Sequence, residues 1–421
     1  MIRRIQALNF RCLRYVDLEL NRFHVAVGPN ASGKSTLFDV VAFLGDMVRD
    51  GVDAAVEKRT RNFQDLVWGR PRTDPRFELA VEFEIPQDIR RKLPEDRGFR
   101  LFRYEVAVEE RDNEIQIHTE RGLLIHKSQG LQPQQRTLFP LPPPVTSGIL
   151  TGGGRPGLRT VLSKSPKRRD NFNIEVSPES GKGWAVSVSF GPHRSALGNL
   201  PESPEKFPAA THVKRTLADG VKSLFLDADR MREASPPNLR RNGFAPDGSN
   251  LPWAVKALKE EHPQDYSEWM DHVRTALADL RDVSVVERDE DRHAYLTLSY
   301  ETGVTIPSWV ASDGTLRFLA LTLLGYHPTS GVYLIEEPEN GLHPFALDAV
   351  YGALSSAQDS QVLSATHSPA FLKLADPEEA LCFAKNNEGA TDIVRGDRHP
   401  LLRDWQGKAE TELLFATGVI G

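Results

Sequence analysis

The chain has 421 residues, of which 39% are hydrophobic and 26% charged, with a formal net charge of −6. This composition is typical of a soluble protein with two core-sized units or one core with a large insertion. The most apolar stretch, Phe318–Tyr326, is too short to span a bilayer, and the start of the chain lacks the apolar run of a secretory signal. Two cysteines, Cys12 and Cys382, cannot form a disulfide framework or a four-thiolate zinc site. Membrane, secreted and zinc-finger proteins are therefore disfavoured, and a cytoplasmic location is expected.

The first 125 residues have the pattern of strands around one helix. The helix is predicted to begin at about Ser35, because Leu37, Val40, Val41 and Leu44 recur at helical spacing. The strands are predicted from alternating or continuous apolar runs at Arg4–Phe10, Tyr15–Leu20, Phe23–Val27, Phe77–Ile85, Phe102–Val108 and Ile115–Ile125.

The middle of the chain has a different composition. Twelve of the 29 prolines lie between Gln129 and Thr211, and prolines interrupt both helices and central strands. We therefore predict an irregular segment at about 130–210, followed by a helix at Ser267–Leu280. Together they suggest an insertion over residues 126–280.

Strand and helix alternate again near the end of the chain. Strands are predicted at Val283–Glu287, Ala294–Tyr300, Gly331–Ile335 and Gln361–Ala365, and helices after Pro344 and Pro369. Such alternation at both ends predicts one α/β sheet built from residues 1–125 and 281–421.

The strongest motif lies between the strand Phe23–Val27 and the first helix. It matches G-x-x-x-x-G-K-[ST] at every fixed position, the pattern of a loop that binds nucleotide phosphates. Its glycines allow a tight turn, the helix N-terminus attracts an anion, Lys34 is suited to the β- and γ-phosphates, and Ser35 is suited to Mg²⁺. A chance loop is the alternative, which the flanking strand and helix disfavour. The residues of the motif are Gly28, Pro29, Asn30, Ala31, Ser32, Gly33, Lys34, Ser35 and Thr36.

A second motif places two carboxylates at the end of the apolar strand Gly331–Ile335. Neighbouring residues at a strand end point in opposite directions, so Glu336 and Glu337 can have different roles. Glu336 is suited to hold Mg²⁺, and Glu337 to orient or deprotonate the attacking water. A solvated acidic turn is the alternative, and the phosphate-loop motif favours the catalytic interpretation.

Two further motifs gain weight from their order in the chain. His367 follows the strand Gln361–Ala365, where it could bond to a γ-phosphate, although a lone histidine is more often structural. Ser312, Asp313 and Gly314 begin an apolar helical stretch, and by themselves they read as an ordinary helix N-cap.

The order of these four motifs resembles the ATP-binding-cassette (ABC) ATPase superfamily. It is most similar to the soluble branch with the SMC-like ATPases and the ATPase domains of overcoming-lysogenization-defect (OLD) nucleases. The wording EEPENGLHP and the ending Leu401–Gly421 resemble a subset described as AAA-type ATPases. The fold that the resemblance implies is an α/β P-loop NTPase of the ABC type, with a mixed sheet core and an inserted, partly helical subdomain.

The resemblance also implies roles for particular residues. Ser312–Gly314 would meet the γ-phosphate bound by a second protomer, and Leu342 and His343 would lie on the loop that crosses between protomers. Gln64 is the best candidate for the glutamine that joins the metal to the arm, with a surface loop as the alternative. Glu336 stands where ABC transporters commonly have Asp. The chain leaves no room after His367 for the Toprim nuclease domain of OLD nucleases, so a separate effector nuclease or toxin is expected.

The predicted function is an ATP- and Mg²⁺-dependent ATPase that acts as a homodimeric clamp in prokaryotic genome defence or DNA maintenance. The alternative is a scaffold or sensor that binds ATP and holds a partner with little turnover. Two basic clusters, Lys164–Arg169 and Arg240-Arg241, are either solvated loops or contacts to DNA or RNA phosphates. No membrane partner is expected.

Overall fold

The computed structural model describes residues 1–94, 98–126, 146–152, 157–166, 168–176, 186–239, 243–327, 331–357 and 360–399. The strands in these ranges are β1 (Ile2–Phe10), β2 (Leu13–Glu19), β3 (Phe23–Val27), β4 (Arg76–Glu84), β5 (Leu101–Arg111), β6 (Glu114–Ile125), β7 (Leu158–Lys164), β8 (Asp170–Phe172), β9 (Val186–Val188), β10 (Val221–Leu224), β11 (Leu280–Glu287), β12 (Ala294–Tyr300), β13 (Thr305–Pro307), β14 (Gly331–Glu336), β15 (Ser360–Ala365), β16 (Ala380–Lys385) and β17 (Thr391–Arg395).

The α-helices in the same ranges are α1 (Lys34–Asp50), α2 (Val52–Glu57), α3 (Gln87–Arg90), α4 (Pro208–Arg215), α5 (Ala228–Arg232), α6 (Leu251–Glu261), α7 (Pro263–Arg274), α8 (Asp313–Leu323), α9 (Leu347–Ser355) and α10 (Pro369–Leu372).

A six-stranded sheet, here called the central sheet, has the order β10-β14-β15-β3-β16-β17 within the described residues. All its pairs are parallel except β16 with β17. The early strand β3 lies between β15 and β16, which come from the other end of the chain. The central sheet is therefore assembled from both ends of the chain, as predicted, and its carboxyl ends gather the loops after β3, β14 and β15 at one edge. The prediction of a single sheet is wrong, because within the described residues the other strands of 1–125 belong to a second, antiparallel sheet, and β11, β12 and β13 form a third.

Apolar residues on both faces of the central sheet form two hydrophobic clusters. Along β14, Val332 and Leu334 belong to one cluster, whereas Tyr333 and Ile335 belong to the other. This division follows from the alternation of side chains along a strand. Helix α1 lies in the first cluster together with residues of the second sheet, and α6 to α9 lie in the second cluster.

In the described part of the chain, an eight-stranded sheet, here called the outer sheet, has the order β2-β1-β4-β5-β6-β7-β8-β9, and all of its pairs are antiparallel. The prediction of an irregular segment at 130–210 is wrong for β7, β8 and β9. Val161, Leu162 and Phe172 are fully buried there. The described Pro166 lies in the turn between β7 and β8 rather than inside a strand, so the strands remain intact.

The helix predicted at Ser267–Leu280 has different bounds. Helix α7 ends at Arg274, and Leu280 begins β11, where it pairs with Tyr300. The apolar periodicity continued past the helix because Ala276, Leu277 and Leu280 pack against the same cluster as the helix. Strands β16 and β17 were not predicted at all.

The division at residues 125 and 280 remains a prediction. One finding bears on its interpretation: β10 lies in the middle segment, yet it pairs with β14 of the central sheet. The ending Leu401–Gly421, which resembles AAA-type ATPases in sequence, lies outside the described residues.

Candidate functional site

The loop between β3 and α1 follows a path that glycine alone accommodates at two positions. Gly28 has a φ of 151° and Gly33 a φ of 108°, both in the region that side chains disfavour. A Cβ on Gly28 would lie 2.5 Å from the carbonyl oxygen of Phe383, and one on Gly33 would clash with the hydroxyl of Thr391. The loop is thus pressed against β16 and β17, and its close backbone path is the one a phosphate cradle needs.

Helix α1 begins directly after this loop. Its N-cap residue, Gly33, provides no side-chain cap, so the first amides of a 17-residue helix are left for another acceptor. The hydroxyl of Ser32 is also buried, with no hydrogen-bond partner among the described residues. Free amides at a helix N-terminus and an orphaned hydroxyl beside them form a site suited to an anion.

Lys34 folds back over the loop. Its Nζ donates hydrogen bonds to the carbonyl oxygens of Gly28 at 2.8 Å and Pro29 at 3.0 Å. Burial lowers the pKa of Lys34 from its ordinary value, while the charges of Glu336 and Glu337 partly raise it. Lys34, Glu336 and Glu337 line the same cleft, so the first and second motifs, about 300 residues apart in sequence, share one site.

The two carboxylates lie at the end of β14, as predicted. Glu336 is the last residue of the strand, opposite Ala365 in the parallel register. Glu337 has a positive φ of 50°, which is uncommon for a residue other than glycine, and its N–H donates to the carbonyl oxygen of Ala365 at 2.7 Å. Both carboxylates are exposed, and the strained backbone of Glu337 is the kind found at functional sites.

His367 follows β15, the strand that lies between β14 and β3. The residue before it, Thr366, donates from its N–H to Ala26 at 3.0 Å and from its hydroxyl to Glu339 Oε1 at 2.5 Å. These bonds tie the ends of β3 and β15 to the loop after β14. His367 is half-buried beside the two carboxylates.

These elements surround a cleft of about 940 Å³. The structure brings the phosphate loop, both carboxylates and His367 together in it. The sequence did not identify several further residues of its lining, among them Arg11, Cys12, Asp65, Trp68, Arg70, Lys385 and Glu388. Arg11 and Cys12 form the turn between β1 and β2, which lies between two predicted strands and is a usable signal. Lys385 ends the unpredicted strand β16, and Glu388 follows it.

The donor set fits Mg²⁺ held together with phosphates. Among the residues that the structure describes, no cluster of three or more His, Cys, Asp or Glu side chains could hold a metal ion alone. Mg²⁺ usually binds one or two carboxylates plus substrate phosphates and waters, and Glu336 with the Ser35 hydroxyl matches that pattern. Gln64 lies on a 3-10 helix next to Asp65, which lines the cleft, and its metal role stays a prediction.

The serine motif begins helix α8. Ser312 is an exposed N-cap whose hydroxyl accepts a hydrogen bond from the N–H of Thr315 at 3.1 Å. Gly314 packs against the loop after β14, because a Cβ there would lie 2.8 Å from the carbonyl oxygen of Gly341. Within the described part of the chain, Ser312–Gly314 do not line the cleft of Lys34.

In the basic cluster Lys164–Arg169, the first residue is neither in a solvated loop nor placed to contact nucleic-acid phosphates. Lys164 is 4% exposed, and its Nζ lies 2.9 Å from Oδ1 of the equally buried Asp170. Lys164 is therefore unavailable to nucleic-acid phosphates, whereas Arg168 and Arg169 are exposed. The pair Arg240-Arg241 lies outside the described residues.

A phosphate loop after one parallel strand, paired carboxylates after another and a histidine after the strand between them define a P-loop ATPase of the ABC type. Residues 23–373 match the AAA_21 family, described as “AAA domain, putative AbiEii toxin, Type IV TA system”. The match covers well over half of the chain, and the chain belongs to this family.

Similar proteins agree with this class. Over 440 aligned residues the chain is 24% identical to an OLD nuclease from Thermus scotoductus, with 94% of this chain covered. The chain spans 62% of the length of that relative. The family match and this relative confirm the resemblance to OLD-type ATPases.

Two solved structures share the fold. One is an Smc head bound to the C-terminal winged-helix domain of ScpA, with a TM-score of 0.50, 16% identity, and coverage of 93% of this chain and 96% of that chain. The other is an Smc head domain with an extended coiled coil bound to the C-terminal domain of ScpA derived from Pyrococcus furiosus. Its TM-score is 0.50 at 14% identity, with coverage of 93% and 95%. Within the described residues, no helix has the length and apolar character needed to cross a bilayer.

Proposed function

We propose that the protein binds and hydrolyses ATP, with two copies of the chain completing each other's sites. The observation that carries the proposal is the meeting of Lys34, Glu336, Glu337 and His367 at the carboxyl edge of the central sheet. Groups aimed at a triphosphate from three adjacent strand ends are the arrangement that phosphoryl transfer needs, because its catalysis is mostly positioning and charge stabilisation.

Each residue has a distinct role in this reaction. The loop amides and Lys34 bind the β- and γ-phosphates, and Ser35 and Glu336 hold Mg²⁺. Bound Mg²⁺ neutralises charge that develops on the phosphates. Glu337 orients the attacking water and accepts its proton, and His367 donates a hydrogen bond to the γ-phosphate.

The homodimeric clamp is supported by the position of α8. Its N-terminus and Ser312 are exposed, and they do not line the cleft of the same chain within the described residues. Exposed amides at a helix N-terminus favour an anion, so the turn is suited to a γ-phosphate bound by a second copy. ATP would then join two protomers, and hydrolysis would release them.

The names of the family and of one relative support a biological setting. The family description names a toxin and a type IV toxin–antitoxin system, and the curated relative is named an OLD nuclease. We propose prokaryotic genome defence or DNA maintenance, with a separate nuclease or toxin as effector and with contact to DNA or RNA.

The test of the two-chain site uses Ser312→Asp. Aspartate and asparagine cap helices about as well as serine, so the Ser312→Asp variant keeps α8 intact and adds a negative charge where the partner's γ-phosphate would lie. We expect this variant to bind ATP but to lose turnover, whereas Ser312→Asn retains it. Gly314 is less suitable, because any side chain there would press on Gly341 of its own chain.

Mixing Ser312→Asp with Lys34→Ala should restore activity. Random pairing makes half of the dimers mixed, each with one intact site, so roughly a quarter of wild-type turnover is expected if the sites act independently. Mixed dimers that form but stay inactive would contradict the two-chain site.

A further inference from the structure

Arg232, the last residue of α5, holds the turn that begins α8. Its guanidinium pairs with the carboxylate of Asp313 and donates to the carbonyl oxygen of Ala311 through Nε at 3.3 Å and Nη2 at 3.1 Å. The side chain of Arg232 is 25% exposed, and that of Asp313 is 61% exposed. Arg232 thus contacts both residues that flank Ser312, although it lies about 80 positions earlier in the sequence.

Contacts with the rest of the protein hold α5, and therefore the backbone of Arg232, in place. Asp227 caps α5 by accepting hydrogen bonds from the N–H groups of Asp229 and Arg230 at 2.9 and 3.3 Å. Met231 is fully buried, and the carbonyl oxygen of Arg232 accepts a hydrogen bond from the hydroxyl of buried Ser308 at 3.1 Å. Arg232 therefore starts from a rigid point on the body of the protein.

The charge of Asp313 poses a problem for the proposed site. A carboxylate in the first turn of α8 is favourable for the helix, but it is unfavourable beside a triphosphate, since like charges brought together at an interface repel each other. A cation paired with Asp313 removes that repulsion. Arg232 is placed to do so, and its pKa is raised chiefly by its hydrogen bond to Asp313.

We propose that Arg232 is a positioning residue that neutralises Asp313 and fixes the Ser312–Gly314 turn, so that the turn can receive the γ-phosphate held by a partner subunit. This inference rests on the proposed two-chain site. It gives a role to residues 225–239, which follow β10. Because β10 pairs with β14, whose end carries Glu336, this segment also connects the turn to the carboxylates of its own chain.

The test is ATP turnover and ATP affinity of Arg232→Gln. We expect turnover to fall about 10- to 100-fold, since misplacing a group that contacts the reacting phosphate costs about that much. The affinity of the isolated chain for ATP, measured by calorimetry, should stay unchanged, which also shows that the variant is folded. The matched control is Asp229→Asn. It removes the ion pair between Arg232 and Asp229, whose side chain is 90% exposed, and leaves the pair between Arg232 and Asp313 in place. It should retain wild-type turnover.

A second substitution separates neutralisation from simple support. Asp313→Asn in the Arg232→Gln background removes the unpaired charge, and most of the lost turnover should return. Arg232→Lys keeps a cation and should retain most of the activity. Wild-type turnover in Arg232→Gln would overturn the proposal, as would a defect that Asp313→Asn does not restore or an inactive Arg232→Lys variant that binds ATP.

Failure of the two-chain site gives a different result. Mixing Arg232→Gln with Lys34→Ala should restore turnover in the same way as mixing Ser312→Asp with Lys34→Ala. If the Ser312 mixture recovers activity and the Arg232 mixture does not, the inference about Arg232 fails and the proposed function stands. If neither mixture recovers, the two-chain site itself fails.

Discussion

The central sheet and the outer sheet use charged residues in opposite ways. In the central sheet the strands that carry the site, β3, β14 and β15, are mostly apolar, and the charges of the site lie at or beyond their ends, at Lys34, Glu336 and Glu337. In the outer sheet, charged side chains lie within the strands and are buried. Arg103 is 6% exposed, and Glu105 is fully buried.

The buried charges of the outer sheet are satisfied by partners inside the protein. Arg103 donates to Glu82 at 3.0 Å and to Glu105 at 2.8 Å, and Glu105 accepts from the N–H of Thr151 at 2.9 Å. At the edge of the central sheet, by contrast, Glu336 and Glu337 are exposed and face a cleft. Burial of a charge is therefore a poor sign of function in this protein, and an uncompensated charge at a strand end is a better one.

The largest expected effect is the loss of ATP turnover when Glu337 is replaced. Glu337→Gln should bind ATP normally but lower turnover by about 10²- to 10⁴-fold, the usual contribution of a positioned acid–base group. Phosphate release measures turnover, and calorimetry measures affinity. A substitution in the outer sheet, Glu109→Gln, is the control and should leave turnover unchanged. Wild-type turnover in the Glu337 variant would remove this residue from the mechanism.

Lys34→Ala should weaken ATP binding by about 10²- to 10⁴-fold. A charge-assisted hydrogen bond contributes about 1.5–3 kcal/mol, and Lys34 can make two of them to phosphates. Because the hydrogen bonds of Lys34 to described residues go to the carbonyl oxygens of Gly28 and Pro29, stability should change little. Calorimetry checks affinity, and urea denaturation checks stability. Unchanged affinity would contradict the phosphate-loop assignment.

Lys164→Met should show the reverse pattern, with affinity unchanged and stability reduced. Removing one partner of a buried ion pair costs about 3–5 kcal/mol, because the other charge stays buried. Asp170 would keep only its bond from the N–H of Phe190, at 2.9 Å. The free energy of unfolding in urea measures the loss. Adding Asp170→Asn should recover much of it, and a lack of recovery would argue against an uncompensated charge as the cause.

The smallest expected effect is a pH dependence of stability. Burial raises the pKa of Glu175 to about 7, although its carboxylate accepts hydrogen bonds from the N–H groups of Ala209 and Ala210 at the start of α4. The folded state therefore holds this proton more tightly than the unfolded state does. Stability from this group is fully present below its unfolded pKa of about 4.5 and is lost as the pH rises to about 7.

The measurement is urea denaturation at pH 5 and pH 7.5. The wild-type protein should lose about 2–3 kcal/mol relative to Glu175→Gln over this interval. Comparison with the variant subtracts the pH dependence that comes from the other titrating groups. Identical pH profiles for the two proteins would show that Glu175 does not titrate in this range.

The sequence alone determined the parts of the site that are local. The phosphate loop, the two carboxylates and His367 each follow a short apolar strand, and each motif is contiguous, so its residues and its strand could be recognised together. Parallel strands place their carboxyl ends at one edge, which made the meeting of these motifs predictable. The position of Ser312 at a helix start was predictable for the same reason, because N-capping is a local property.

Only the tertiary structure decided which distant residues complete the site. The hydroxyl of Thr391 bonds to the carbonyl oxygen of Ser32 at 2.7 Å, and Arg232 pairs with Asp313 across 81 positions in the chain. The burial of Lys164 was hidden as well, because a run of basic residues looks the same whether its first member points into the protein or into water. Periodicity and motif spacing report the geometry of neighbours along the chain. Which elements pack side by side depends instead on strand order and on which apolar faces bury one another, and these depend on the chain as a whole.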